Sequence, residues 1–441
     1  MNLDPLVLLL VVLGTVLIGG VSIMAVRDIW QRLLLAGIFF GLCLYNGVGA
    51  AYHDVPRYYL LYYFGFLCAF ACAFWFFKVA FVHLSFRTGH MLTRVLNDVD
   101  LRFSWRLIIW VYVILHFVPL LYPEFRIQHL FTPPRPDLIA SFARQWTSQE
   151  MDVLQKLIDY ATILLTPFFY IALFRYRKRM SRVVLIFGIL LYAKYVANGY
   201  IGRSDIGIAL VTIYLALWVS RPKWRRRLVA MAMLAFPFIL SLSYFYSIIR
   251  IGGTPSGISP LEAIALTLEQ EISFPRNVGI PIIESDARVD LAGYAKWMVT
   301  LPIPKLLTGE IEGARVNYEI SEFILGLGRG EPGWYIVLPG LVAESVYIFG
   351  RYFFWLHAVF IAFLAALMIR LVERTPQLLF LQAYLVVTFA YHLNRGGITG
   401  PMGILVNHFM LFYVFVFIHV FVLFKKEQAG NCTSWTVDGC N

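Results

Sequence analysis

Charge is scarce in this chain. Of 441 residues, 14% are Asp, Glu, Lys or Arg, while 60% are hydrophobic and 17% aromatic. A soluble domain carries about 25% charged residues, and the mean hydropathy of +0.71 leaves more apolar surface than a soluble domain of this length can bury. Cysteine is also sparse. Cys43, Cys68 and Cys72 fall in or beside apolar runs, and Cys432 and Cys440 lie in a polar tail, so neither zinc spacing nor a disulfide framework is present. The sequence has no P-loop, no GxSxG elbow, no HExxH, no DxD-type motif in its outer loops and no His/Cys/Asp cluster with metal spacing. An enzyme built from it is therefore expected to work without metal or cofactor. No basic region or small-residue cleavage site marks a signal peptide, so residues 6–26 are expected to be a retained span.

What is abundant is the long apolar run. Runs of about 17 to 22 such residues cross a bilayer as helices, and they recur at residues 3–26, 33–51, 58–80, 107–122, 157–174, 183–201, 206–219 and 228–248. After a long polar interval they resume at 352–371, 377–393 and 402–424. The expected fold is all-α, a polytopic transmembrane helix bundle of about eleven spans with one large loop. Residues 1–248 form an N-terminal bundle, 249–351 the loop, 352–424 the last spans and 425–441 a tail.

The formal charge of +11 does not indicate nucleic acid, because Lys and Arg gather in short clusters at the ends of apolar runs. Such clusters stay on the cytoplasmic side. Placing Arg27 with Arg32, residues 78–106, RYRKRMSR from Arg175, RPKWRRR from Arg221, Arg370 with Arg374, and Lys425 with Lys426 all inside puts the N-terminus outside and the C-terminus inside. Counting residues 334–349 as a full span would invert the last clusters. That segment, with Pro339, Gly340 and Glu344, therefore reads as re-entrant or interfacial, since irregular backbone at membrane depth must be buried in protein or line a wet cavity.

This orientation gathers residues 202–205, the loop 250–333 and NRGGITGP from Asn394 on the outer face, with Arg203, Arg250, Arg276, Arg315 and Arg395. Arginine there runs against the positive-inside tendency. Five guanidinium forks suit an anionic ligand such as a lipid diphosphate, although arginine at a span end also snorkels to the interface. Within the loop, SPLE at 259–262 is a capping box with proline at the first helical position. Leu261, Ile264, Ala265, Leu268 and Ile272 follow at helical spacing, predicting an amphipathic helix that stops at Pro275. An interfacial helix is expected near 148–156.

Ionisable residues in or near spans are costly and point to function. Glu344, in VLPGLVAESVYIFG, is the first choice for a general base, since apolar surroundings raise its pKa; its other reading is a structural carboxylate paired with an arginine. Asp205 reads as a base, a local ion pair or a helix cap. Glu271 stands close to Arg276 and serves either role. Lys194, Asn198 and His408 read as catalytic or as buried hydrogen-bonded groups. Trp297, Trp334 and Tyr335 suit sugar stacking or interfacial anchoring.

These features resemble the Wzy-type oligosaccharide repeat-unit polymerases. The likeness rests on many spans, one Arg-bearing loop in the C-terminal half, and LVAESVYIFGRYFFWLHAVFIAFLAALMIR, which is similar to the Glu-x-x-x-(x)-x-Phe-Gly stretch of those proteins. Arg315 to Gly326 also fits an Arg-x10-Gly spacing found in some members. The chain departs from the pattern in having one clearly large loop rather than two. The resemblance implies a bacterial inner-membrane glycosyltransferase facing the periplasm. It would move a growing glycan from undecaprenyl diphosphate to a lipid-linked repeat unit, with membrane lipids and a chain-length regulator as partners. Arginines would hold the diphosphate and Glu344 would take the acceptor's proton. An O-antigen ligase and a flippase for lipid-linked oligosaccharide are the alternatives.

Overall fold

The computed structural model describes residues 4–81, 149–198, 203–235, 271–301, 315–328, 333–372 and 375–434. Between them it describes scattered positions at 93–96, 106–121, 237, 259–269 and 331. Every regular element among these residues is helical. Among the described residues four helices are long and apolar enough to cross a membrane: α1 (Pro5–Met24), α2 (Ile29–Tyr52), α3 (Tyr58–Ala80) and the stretch Thr399–Val422. Further apolar helices are α4 (Gln149–Tyr176), α5 (Met180–Asn198), α6 (Arg203–Ser220), α7 (Pro222–Ala235) and α12 (Trp355–Val372). α6 and α7 join at a bend of 116°, so RPKWRRR forms a sharp corner between two apolar helices. The expected interfacial helix near 148–156 is the first part of α4, continuous with the apolar run after it.

Helix ends follow local rules. Asp4 caps α1 through its side chain, accepting from the N–H groups of Leu6 and Val7, and Pro5 stands at the first helical position. Asp28 caps α2 in the same way, accepting from Gln31 N–H. Ring contacts then give the relative directions. Phe39 meets Phe70 and Tyr59 reaches Asn46, so α2 and α3 are antiparallel. Tyr62 meets Phe354, and Phe81 meets Phe363, so α3 and α12 run parallel. α13 (Leu379–Gly396) runs parallel to α2: a Cβ on Gly37 would lie 2.9 Å from Ala390 Cβ, and one on Gly41 only 2.4 Å from Asn394 Cγ. Small residues let these backbones approach this closely. All these directions agree with the alternation expected from the basic clusters.

The loop elements pack on the ends of this bundle. The capping box is present, with Ser259 N–H donating to Glu262 Oε2 at 2.9 Å and Glu262 N–H to Ser259 Oγ at 3.2 Å. Pro275 does more than stop a helix. It opens a π-helical turn, Pro275–Gly279, that leads into α8 (Ile280–Ser285). α9 (Leu291–Thr300) is capped by Asp290. α10 (Val316–Leu325) accounts for the Arg-x10-Gly spacing: Arg315 is its N-cap and Gly326, at φ +64°, ends it in the left-handed conformation.

Residues 334–340 have no regular secondary structure and lead into α11 (Leu341–Phe353). At about 1.5 Å per residue, these 13 residues are too short to cross a bilayer. Gly350, at φ +76°, breaks the helix before α12 begins. The last described elements are α14 (Thr399–Gly403), a π turn Ile404–His408 and α15 (Met410–Ser434). α15 continues beyond residue 424, into the segment expected to be a tail. A third π turn, Cys43–Val48, lies inside α2. Such turns leave carbonyls outside the regular ladder and often mark functional positions.

Candidate functional site

α11 is the element on which the candidate site converges. Residues Leu341 to Ile348 are all buried, and its neighbours carry the described candidate arginines. It packs against the Pro275–Gly279 turn, which holds Arg276, and against α13, which ends with Arg395. It is tied to α10, the helix begun by Arg315, through Tyr347 Oη donating to Glu319 Oε2 at 3.4 Å. Just before α11, Val337 N–H donates to Ser321 Oγ at 2.8 Å.

Glu344 lies in the first turn of α11 with no solvent exposure. Its Oε2 accepts from Ile398 N–H at 2.7 Å, and Thr399 N–H also points to it. The turn after α13 thus wraps the carboxylate with backbone donors. Gly397 makes this possible: its φ is +71°, and a Cβ there would lie 2.2 to 2.4 Å from the carboxyl atoms. Burial pushes the Glu344 pKa up to about 8, against the opposing pull of the two backbone donors.

Beside the carboxylate is a second buried pair that sequence reasoning missed. His357 Nε2 lies 3.8 Å from Glu344 Oε2, and both side chains are fully buried. His357 Nδ1 is 2.8 Å from Ser345 Oγ, and Ser345 Oγ donates to Leu341 O at 2.7 Å. The single hydroxyl proton is therefore committed, and Nδ1 must be the donor to Oγ. His357 Nε2 and Glu344 Oε1 have no hydrogen-bond partner. At 3.8 Å the imidazole and the carboxylate lie side by side without a hydrogen bond between them. The cue in the sequence is a lone imidazole in the apolar run WLHAVF.

The structure brings two other candidates together. Arg395 Nη2 donates to Glu271 Oε1 at 2.5 Å, across 124 positions, and Arg395 Nη1 donates to Tyr391 Oη at 2.7 Å. Both members of the pair are one-quarter exposed. Glu271 pairs with Arg395 in this way, whereas its nearness in sequence pointed to Arg276. Arg395 in turn spends its charge on Glu271. Glu344, whose structural reading called for an arginine, pairs with backbone and imidazole.

The remaining candidates are placed as follows. Arg276 is exposed on its π turn and within electrostatic range of His53, whose pKa burial lowers. Arg315 donates to Tyr318 Oη at 3.0 Å and lies over that ring. His408 Nδ1 is 3.4 Å from Tyr384 Oη, away from α11. Arg203 and Asp205 stand in the first turn of α6, their side chains outside the described set, as are those of Lys194 and Asn198. Arg250 lies outside the described residues. Of the aromatic candidates, Trp297 is buried and stacks on Tyr294 at 5.7 Å. Trp334 meets Tyr318 edge-on, and Tyr335 is exposed.

A separate cluster, absent from the sequence reading, lies at the far end of α11. Asp286 accepts from Arg288 Nη2 at 2.9 Å and lies 3.6 Å from Arg351 Nε. Arg351 Nη2 donates to Glu284 O at 2.9 Å, and Tyr58 Oη to Glu284 Oε1 at 2.8 Å. This cluster clamps the segment before α9 to α3 and to the Gly350 break. Comparison with protein-family models, characterised proteins and solved structures finds no match to this chain.

Proposed function

We propose that the protein is a periplasm-facing polymerase of lipid-linked oligosaccharides. It would transfer a growing glycan from undecaprenyl diphosphate to the terminal sugar of a new lipid-linked unit, with inversion and without metal. The observation that supports this reading is the meeting of Glu344 with the turn that follows Arg395, on a helix packed against the turn that carries Arg276 and hydrogen-bonded to the helix that Arg315 begins. A carboxylate with a pKa near 8 is a competent base close to neutral pH, because basicity is matched to the working pH. It takes the proton of the attacking hydroxyl as the new glycosidic bond forms. The bond to the diphosphate breaks, and the leaving group departs with its charge held by arginine. Arg276 is exposed and Arg315 only half-buried, so these two are the better placed to receive the diphosphate, while Arg395 is held by Glu271.

A second reading comes from one observation: Glu344 is sealed from solvent by the Gly396–Thr399 backbone. As a base it requires that turn to lift. As a positioning residue it fixes the turn, and through it Arg395. Glu344→Gln separates the two, since the amide still accepts from Ile398 N–H but takes no proton.

The test is complementation of a deletion strain, with surface polysaccharide resolved by length and membrane expression checked for each variant. A ladder restored by wild type, but not by Arg276→Ala, Arg315→Ala or Glu344→Gln, supports the polymerase with Glu344 as base. A ladder restored by Glu344→Gln leaves it a positioning role. Bare core with lipid-linked polymer accumulating identifies a ligase, and unpolymerised units retained on the cytoplasmic side identify a flippase.

A further inference from the structure

Two basic clusters meet at one end of the bundle. RYRKRMSR, from Arg175 to Arg182, joins α4 to α5, and RPKWRRR, from Arg221 to Arg227, joins α6 to α7. Arg221 Nη2 donates to Arg177 O at 3.3 Å, across 44 positions, and so brings the two turns into contact. Each cluster carries five Lys or Arg and no Asp or Glu. Topology asks only that such clusters share a side of the membrane. It does not ask that they touch, and like charges brought together repel.

The guanidinium groups here are held in place without being neutralised. Arg177 lies 3.7 Å from the Phe174 ring centroid and donates to Phe174 O at 2.7 Å. Arg225 lies over Trp218 and donates to Trp218 O at 3.3 Å, while Arg221 lies over Trp224 and Arg182 over Tyr176. Ring faces and helix-terminal carbonyls carry only partial negative charge. Among the described residues no Lys or Arg of either cluster pairs with a carboxylate. Burial, and then the neighbouring charge of Arg221, hold the Arg177 pKa below its ordinary value, as for a cation without a counter-charge. Apolar side chains are exposed directly beyond the cations, Val184 and Leu185 after Arg182 and Val229 and Met231 after Arg227. A ligand at this corner meets positive charge and, about a turn away, apolar surface.

We propose that the corner where these two turns meet is a binding site for the phosphate headgroup of an anionic phospholipid, in the leaflet around this end of the bundle. Guanidinium forks match phosphate oxygens, basic pockets between membrane helices suit such headgroups, and the exposed apolar side chains take the acyl chains. A soluble phosphate or a nucleic acid would leave that apolar rim unused. Ring and carbonyl contacts fix the arginines before the lipid arrives, so little side-chain freedom is lost on binding. The site shares no residue with the Glu344 centre and does not depend on the polymerase reading.

The experiment is native mass spectrometry of the full chain in detergent, titrated with phosphatidylglycerol or with phosphatidylcholine of the same acyl chains. Saturable phosphatidylglycerol adducts are expected, with phosphatidylcholine bound far less. Arg177→Gln with Arg221→Gln should weaken the tightest phosphatidylglycerol binding about 30-fold, the contribution of two basic side chains at an anionic headgroup. Arg27→Gln with Arg32→Gln, which removes the same charge from another basic cluster, should leave that binding unchanged. Melting midpoints confirm folding; if the first pair melts early, Arg226→Gln with Arg227→Gln, both exposed, carries the test. Equal binding of the two lipids, or equal loss in the two clusters, overturns the site and leaves these residues a topological role. Displacement of the lipid by inorganic phosphate overturns the lipid as occupant in favour of a soluble anion.

Discussion

Two charged regions flank α11, and they differ in depth. At its start, Glu344 is fully buried and held by the backbone of a turn 54 positions away. At its end, Arg288, Arg351 and Asp286 form an ion-pair cluster whose side chains are 35% to 51% exposed. In the first region a lost partner cannot be replaced by water, so each contact carries the full desolvation cost. In the second, solvent screens the charges and replaces any that are removed. Charged residues near one another thus divide into those that hold the fold and those left available to a ligand.

The sharpest way to break this comparison is Gly397→Ala. A left-handed backbone angle on a non-glycine residue costs about 1–3 kcal/mol, and the overlap with the Glu344 carboxyl adds to it. We expect the lowest melting midpoint of any variant and no polymer; a wild-type midpoint would mean that the turn does not enclose the carboxylate. Next, Glu344→Ala leaves Ile398 N–H buried without an acceptor and should cost about 1–3 kcal/mol. Glu344→Gln, which keeps the acceptor, should cost less, and equal losses would contradict the assigned hydrogen bonds.

The pH dependence follows from the raised pKa of Glu344. The folded state holds its proton up to about pH 8, against a usual value near 4.5, so the stability it adds is complete below pH 4.5. That stability is lost as pH rises toward 8, at about 1.4 kcal/mol per unit. Wild-type melting midpoints should fall across this range more steeply than those of Glu344→Gln, and parallel curves would remove Glu344 as the source. A smaller effect is expected for Arg395 and Glu271. A double-mutant cycle should show coupling of about 1 kcal/mol, as for groups in direct contact, and additivity would mean that the pair is not formed. Smallest of all, Arg288→Ala should change stability by less than about 0.5 kcal/mol, measured as a midpoint shift at low and high salt.

Much of the architecture is legible in the chain because its signals are local. Ser259 and Glu262 lie three positions apart and form the capping box that their spacing announces. Arg315 and Gly326 bound one helix, so their spacing reports its length as much as any motif. Glu344 stands out because a carboxylate in an apolar stretch is costly, and its side chain is fully buried. Its partners were not legible. Ile398 and His357 belong to other elements, and backbone donors leave no residue-type signature. The nearness of Glu271 to Arg276 in sequence misled for the same reason, since the π turn at Pro275 leaves Arg276 exposed while α13 brings Arg395 to Glu271.

The sequence by itself determined where many of the apolar helices form, the capping box at Ser259–Glu262, and the relative directions in which several helices run, because periodicity, capping residues and basic clusters act within a few turns of chain. Only the tertiary structure decided which charges meet. Packing α11 against α13 places a backbone turn over Glu344. Hydrogen bonds between distant segments depend on positions that no short stretch of sequence contains.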